Sequence, residues 1–171
     1  MAELKVRHEL NCSEDTFWKK IVFDPKDAFN RHLYDDLLKF PNYQVLELKD
    51  EETRVLRKVR IEPPVDGVPG PVKKVIGDRL SYLEEDVFDK ATKRFVVKVT
   101  PSTLAEKIRI TGEMFCESLG ENRIARVANF VVEVKVFMVG GMIEDKIISD
   151  LKKSYDTAAG ATNAWLKSQG M

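Results

Sequence analysis

The sequence has no excess of either charge: Lys plus Arg number 28, and so do Asp plus Glu. With no basic stripe and no recognisable nucleic-acid motif, no nucleic-acid partner is expected. Cysteine is scarce. Cys12 and Cys116 stand alone, without metal-ligand spacing, and read as buried, reduced thiols, with a disulfide as the alternative. Histidine is equally scarce, limited to His8 and His32. No three side chains share the spacing of a metal site and no nucleophile sits in a recognisable elbow, so neither a metal nor another cofactor is expected. No apolar run reaches the roughly 18 residues that span a bilayer; the longest candidates are broken by Glu133 and Lys135. The opening "MAELKVRHEL" lacks the apolar h-region of a signal peptide. The expectation is a cytoplasmic protein with no transmembrane segment, folded as a single domain over 1–171.

What the chain does have is periodicity. Leu4, Val6, His8 and Leu10 alternate with Lys5, Arg7 and Glu9, which predicts a half-buried strand with His8 pointing inward. Ser13 offers a helix N-cap, with Glu14 and Asp15 suited to the positive end of the dipole. The helix that follows buries Phe17, Trp18, Ile21 and Val22. Asp24-Pro25 is expected to start a second helix, carrying Phe29, Leu33 and Leu37 on one stripe and closing at Phe40-Pro41. His32 falls at its surface or its edge against the sheet.

Strands are then predicted over 43–49, 53–61, 80–88, 95–100, 107–118 and 123–138. The last would be about 50 Å long at ~3.3 Å per residue, so it must bend. Gly112 in its neighbour is a bend or a point of close approach. Gly140-Gly141 ends the sheet, and helical spacing from Ile143 to Leu166 predicts one terminal helix of about 40 Å.

One strand, two short helices, a run of antiparallel strands and a long helix argue for an α+β fold. A strongly curved sheet gripping one helix leaves an apolar gap where the sheet bows away. The small residues Ala158, Ala159, Gly160 and Ala161 would deepen it; the alternative is that bulky sheet residues fill it. Four of the seven prolines and three of the nine glycines fall in "IEPPVDGVPGPVKKVIGD", 61–78. A loop of that length is usually functional or disordered. It reads as a lid over the cavity mouth, with "PVKKVIG" as a helical turn and Gly67 and Gly70 as hinges; the alternative is a loop with no such role.

The strand-to-helix entry "LKVRHELNCSEDTFWKKIVFD" and the terminal "MIEDKIISDLKKSYDTAAGATNAWLKS", in this element order, resemble the START/Bet v1-like superfamily, and within it an uncharacterised bacterial branch. The resemblance covers nearly the whole chain. It implies the helix-grip fold: a curved antiparallel sheet of about 6–7 strands around a long C-terminal helix, with two short helices between strands 1 and 2. It also implies a hydrophobic cavity, used in that superfamily for lipids, sterols, polyketides or plant hormones. The glycine-rich phosphate-loop-like turn of one plant branch is not reproduced by "GVPGPVKK".

The residues expected to hold a ligand are His8 on the first strand and Arg57 and Val59 on the third. Val97, Ile110 and Met114 join them from the middle of the sheet, and Phe130, Val132 and Val134 from its last strand. Ile147, Leu151 and Tyr155 face them from the terminal helix. The gate is assigned to Pro64, Gly67, Pro69, Gly70 and Val72. Within "YLEEDVFDK", alternation turns Glu84 and Asp86 to one face and Glu85 to the other, without saying which is inner. Arg57 and Arg126 fall in phase with apolar positions, so a carboxylate–arginine pair could sit inside; the alternative is that these charges lie at the sheet ends in solvent.

The function expected is non-catalytic binding or transport of a hydrophobic small molecule, lipid-like or aromatic, with transient membrane contact. Two alternatives stay open. One is a protein-interaction or regulatory module with an apolar patch on 17–22 or 29–38; the other is a cyclase- or hydrolase-type enzyme on a hydrophobic substrate.

Overall fold

The structure, a computed structural model, describes residues 1–171. Strand β1 (Ala2–Leu10) leads into two short helices. Helix α1, over 14–22, begins as Glu14–Thr16 and continues as the π-helical stretch Phe17–Val22. Helix α2, over 28–37, is built the same way from Ala28–Arg31 and His32–Leu37. The hairpin β2 (Asn42–Asp50) and β3 (Arg54–Glu62) precedes a short helix, α3 (Gly70–Ile76). Strands β4 (Tyr82–Asp89), β5 (Arg94–Pro101), β6 (Ile108–Gly120) and β7 (Arg123–Val134) follow, and α4 (Gly140–Ser168) ends the fold. All neighbours in the seven-stranded sheet are antiparallel, in the order β1-β7-β6-β5-β4-β3-β2. Helix α4 lies against β1, β7 and the second half of α2. This is the α+β helix-grip arrangement that the element order predicts.

Helix α1 starts where the sequence supplies a cap: Ser13 Oγ accepts the Thr16 N–H at 3.1 Å. A π-helical turn is wider than an α-helical one, and Phe17, Trp18, Ile21 and Val22 all reach the core from it. Trp18 meets Phe88 at 4.5 Å between centroids, with Phe17, Phe23 and Phe95 around it. The apolar faces of α1 and α2 are packed inward rather than offered as a patch, apart from Leu37 at the end of α2. The most exposed large apolar side chains are Phe137 (90%) and Met138 (85%), in the turn between β7 and α4.

Two predicted boundaries differ. Pro25 does not open α2, because Asp24 Oδ1 accepts the Lys26 N–H at 3.1 Å and closes a turn. Asp27 then takes a left-handed conformation (φ 53°) before the helix begins at Ala28; short Asp-rich turns compete with helix in this way. Strand β7 stops at Val134 rather than at Met138. The Val134 N–H is claimed by Glu144 Oε1 at 2.9 Å, and the chain turns through Met138 (φ 66°) into α4. Gly140 permits that tight start, since a Cβ there would lie 2.8 Å from the Val134 carbonyl oxygen.

Gly112 is a point of close approach. The ring of Phe130 on β7 lies over it, and a Cβ at 112 would stand 2.5 Å from two ring carbons. The Pro/Gly segment holds the predicted helical turn: α3 has proline in its first turn and stops at Gly77, whose φ of 81° suits glycine.

Candidate functional site

Between the sheet and α4 lies an apolar cavity of about 190 Å³. A second cavity of about 40 Å³ lies beneath the 62–78 loop, lined by Pro64, Val68, Val72 and Ile76. Both are lined by Pro63, Tyr82, Ile147 and Asp150, so these four side chains form the partition between them. Of the two, only the smaller is lined by residues of the loop after Pro63.

Val97, Ile110, Met114 and Phe130 line the larger cavity from the sheet, and Ile147, Leu151 and Tyr155 from α4. Ala158 and Thr162 also line it; the small side chain of Ala158 leaves the space open. Five of the expected residues do not reach it. Val59 and Val132 are fully buried in packing instead. Val134 lies where Glu144 ties the start of α4 to the sheet, so no gap remains there. Arg57 is held away by its own ion pairs, and His8 sits behind Arg126. Of the gate residues, Pro64 and Val72 line the small cavity, while Gly67, Pro69 and Gly70 do not.

The sequence reading left out contributions from the short helices. Phe17 and Ile21 of α1 and Leu33 and Tyr34 of α2 close one side of the cavity. Their amphipathic stripe was the available signal, but an apolar stripe does not say whether it faces solid core or open space. His32 bonds Asp36 Oδ2 at 2.8 Å and stacks on Trp165 at the helix edge, away from the cavity.

Two arginines penetrate the interior. Register pairs Arg57 with Asp86 across β3 and β4, which turns Asp86 and Glu84 inward and Glu85 outward to Lys58. Arg57 Nε donates to Asp86 Oδ2 at 2.8 Å and Nη2 to Glu84 Oε1 at 2.9 Å. Asp86 is 2% exposed. Burial, and then the neighbouring Glu84 charge, push its carboxyl well above the usual range, while Arg57 opposes them. Glu84 also lines the larger cavity.

Arg126 projects from β7, opposite His8 on β1. Its Nη2 donates to His8 Nδ1 at 3.0 Å and to the Tyr155 carbonyl at 2.9 Å. Because a guanidinium only donates, Nδ1 is the acceptor and Nε2 carries the proton to Asp156 Oδ1 at 2.8 Å. His8 is thus held by hydrogen bonds on both ring nitrogens, which is the arrangement of a positioned structural histidine.

The thiols supply no nucleophile. Both cysteines are free, and burial pushes Cys12 up to about 11 and Cys116 up to about 12, leaving them unionised at neutral pH. No cluster of His, Cys, Asp or Glu could hold a metal ion, and no helix is long and apolar enough to cross a membrane.

Solved structures share this architecture. A START superfamily protein from Mycobacterium smegmatis matches with 12% identity over 96% of this chain and 98% of its own, at a TM-score of 0.62. The Zhui aromatase/cyclase from Streptomyces sp. R1128 matches with 11% identity over 99% and 96%, at 0.65. Norcoclaurine synthase from Thalictrum flavum matches with 14% identity over 96% and 86%, at 0.61. At such identities the likeness is one of fold, START/Bet v1-like. No curated protein matches the chain. Residues 6–166 match the model of the family described as "Protein of unknown function (DUF2505)", and the chain belongs to that family.

Proposed function

We propose that the protein is a single-domain, cytoplasmic binder or carrier of a hydrophobic small molecule, lipid-like or aromatic, and that it does no chemistry on it. The observation that carries this reading is the cavity of about 190 Å³ between sheet and α4, walled by side chains such as Phe17, Val97, Met114, Phe130 and Leu151. Ligand pockets of this kind are mostly apolar, with a few placed polar groups. The volume is below the roughly 300–1,000 Å³ of drug-sized sites, which favours a single ring system or a medium-length chain. The 62–78 loop acts as the gate, and its opening would join the small cavity to the large one.

Protein purified from its native host, denatured and extracted with organic solvent, should release a stoichiometric apolar compound visible by mass spectrometry. Ala158→Phe, which fills the cavity from α4, should weaken that compound's binding more than tenfold, or about 1.4 kcal/mol. Unchanged affinity in the variant would place the ligand elsewhere.

Transient membrane contact fits the exposed Phe137 and Met138, which stand beside Lys135. The turn leads into Ile143, which lines the loop-covered cavity. Vesicles containing anionic lipid should co-sediment with the protein, and Phe137→Asp with Met138→Asp should abolish this; equal sedimentation of the double variant would refute the contact.

An enzymatic reading has one observation in its favour: Glu84, paired to Arg57, faces the cavity. Two structural relatives are named as a cyclase and a synthase. Turnover of the extracted compound by wild type but not by Glu84→Gln would replace the carrier reading with this one.

A further inference from the structure

The two interior arginines are treated differently by the fold. Arg57 has two carboxylates within 2.9 Å. Arg126 is only 4% exposed and has no carboxylate in ion-pair range; its protein partners are a neutral ring nitrogen and a backbone carbonyl. Both of those bonds leave from Nη2, and Nε is buried with no partner at all. The guanidinium stands 4.8 Å from the Tyr155 ring centroid, which gives it a face to rest on but no counter-charge.

The nearest acidic group in the network, Asp156, is reached only through His8 and is itself bonded to Lys152. Burial lowers both guanidinium pKa values. At Arg57 the Asp86 and Glu84 charges more than reverse the effect, whereas at Arg126 the net direction stays down. A buried cation without an anion costs several kcal/mol, and a buried donor without an acceptor adds to that. Arg126 lines the larger cavity. The other charged groups lining it, Glu84 and Asp150, are engaged by Arg57 and Lys146.

We infer that the occupant of the cavity carries an acidic group, a carboxylate or its chemical equivalent, that pairs with Arg126 while its apolar body fills the space towards Phe130 and Met114. This rests on the carrier reading above and adds the ligand's charge to it. A guanidinium fork with unused N–H groups suits a planar carboxylate. The volume sets the scale of the apolar body at a medium chain or one aromatic ring, so the ligand class is a small amphiphilic acid.

The test compares acids with their neutral isosteres on the full chain. Octanoate and 4-phenylbutyrate are titrated at pH 7 against their methyl esters, with the heat of binding in isothermal titration calorimetry as the readout. Wild type should bind the acids at least tenfold more tightly than the esters. Arg126→Gln should retain ester binding and reduce the acid preference to less than twofold. Esters bound as well as acids by wild type, or an acid preference that survives in Arg126→Gln, would overturn the pairing and leave the carrier reading standing. Failure of acids and esters alike to bind would remove the carrier reading and this inference with it. Should Arg126→Gln not fold, the acid–ester comparison in wild type still decides.

Discussion

Arg57→Met should destabilise the protein by about 3–5 kcal/mol at neutral pH, the usual cost of removing one partner from a buried ion pair. Its side chain is 11% exposed, against 1% for that of Asp86 and 18% for that of Glu84. Without it, two carboxylates face each other in the interior, one of them with an oxygen, Asp86 Oδ1, that has no hydrogen-bond partner. The pH dependence follows in sign. Burial and Glu84 already raise the Asp86 carboxyl in the folded protein, and loss of the cation raises it further. A folded-state pKa above the unfolded value of ~4 favours folding below that value, and the benefit is lost as pH rises through the folded pKa. The variant's deficit should therefore be largest at neutral pH and narrow on acidification. Urea denaturation at pH 7 and pH 5 measures both points. Adding Glu84→Gln and Asp86→Asn should restore most of the loss, because buried charges replaced together cost far less than one left alone. A deficit below 1 kcal/mol, or one that widens at pH 5, would refute this account.

Gly112→Val should cost about 3 kcal/mol, at the upper end for overpacking. The first added carbon alone would come within 2.5 Å of Cδ1 and Cε1 of Phe130. The ring cannot easily yield: Phe130 is 3% exposed and packs edge-on against Tyr155 at 5.4 Å. Any retreat pushes it into the cavity, so binding of a medium-chain probe such as methyl octanoate should fall along with stability. Phe130→Leu removes the obstructing ring, and Gly112→Val with Phe130→Leu should be more stable than the sum of the single changes by about 1 kcal/mol. Strict additivity in denaturation would mean that the two residues do not press on one another.

The alternation of Ile108, Ile110, Met114 and the facing Ala128, Phe130, Val132 made the sheet and its buried face legible without coordinates. The terminal helix was equally plain, because its apolar stripe persists from Ile143 to Leu166, nearly the whole of α4. What alternation could not supply was register between β3 and β4, since the long 63–81 connection fixes no pairing by turn geometry. Hence Glu84, Glu85 and Asp86 could not be assigned to a face until Arg57 was seen opposite Asp86. Arg126 stood in phase with apolar residues in the sequence, yet its missing counter-charge is a property of what lies across the cavity. Pro25 was misread as a helix start because Asp24 is as able to close a turn as to cap a helix. The five residues predicted to face a ligand but packed elsewhere show the same limit: period two gives the side of a sheet, and only the shape of the gap says which inner positions reach it.

The strand order carries a consequence for how the chain reaches this state. Strand β1 pairs with β7 alone, joining Ala2 to Val132 and Leu10 to Ile124. The residues of β1 thus wait for β7, far along the chain, before their hydrogen bonds across the sheet can form. Pairings so distant in sequence make closure slow, since the entropy of the loop must be overcome before any contact rewards it. Until then the exposed edge of β1 and the inner faces of β2–β6 are open to other chains, the hazard of late-closing sheets. Truncation ahead of residue 123 would remove the partner of β1, and with it the only hydrogen-bonded tie between that strand and the rest of the sheet.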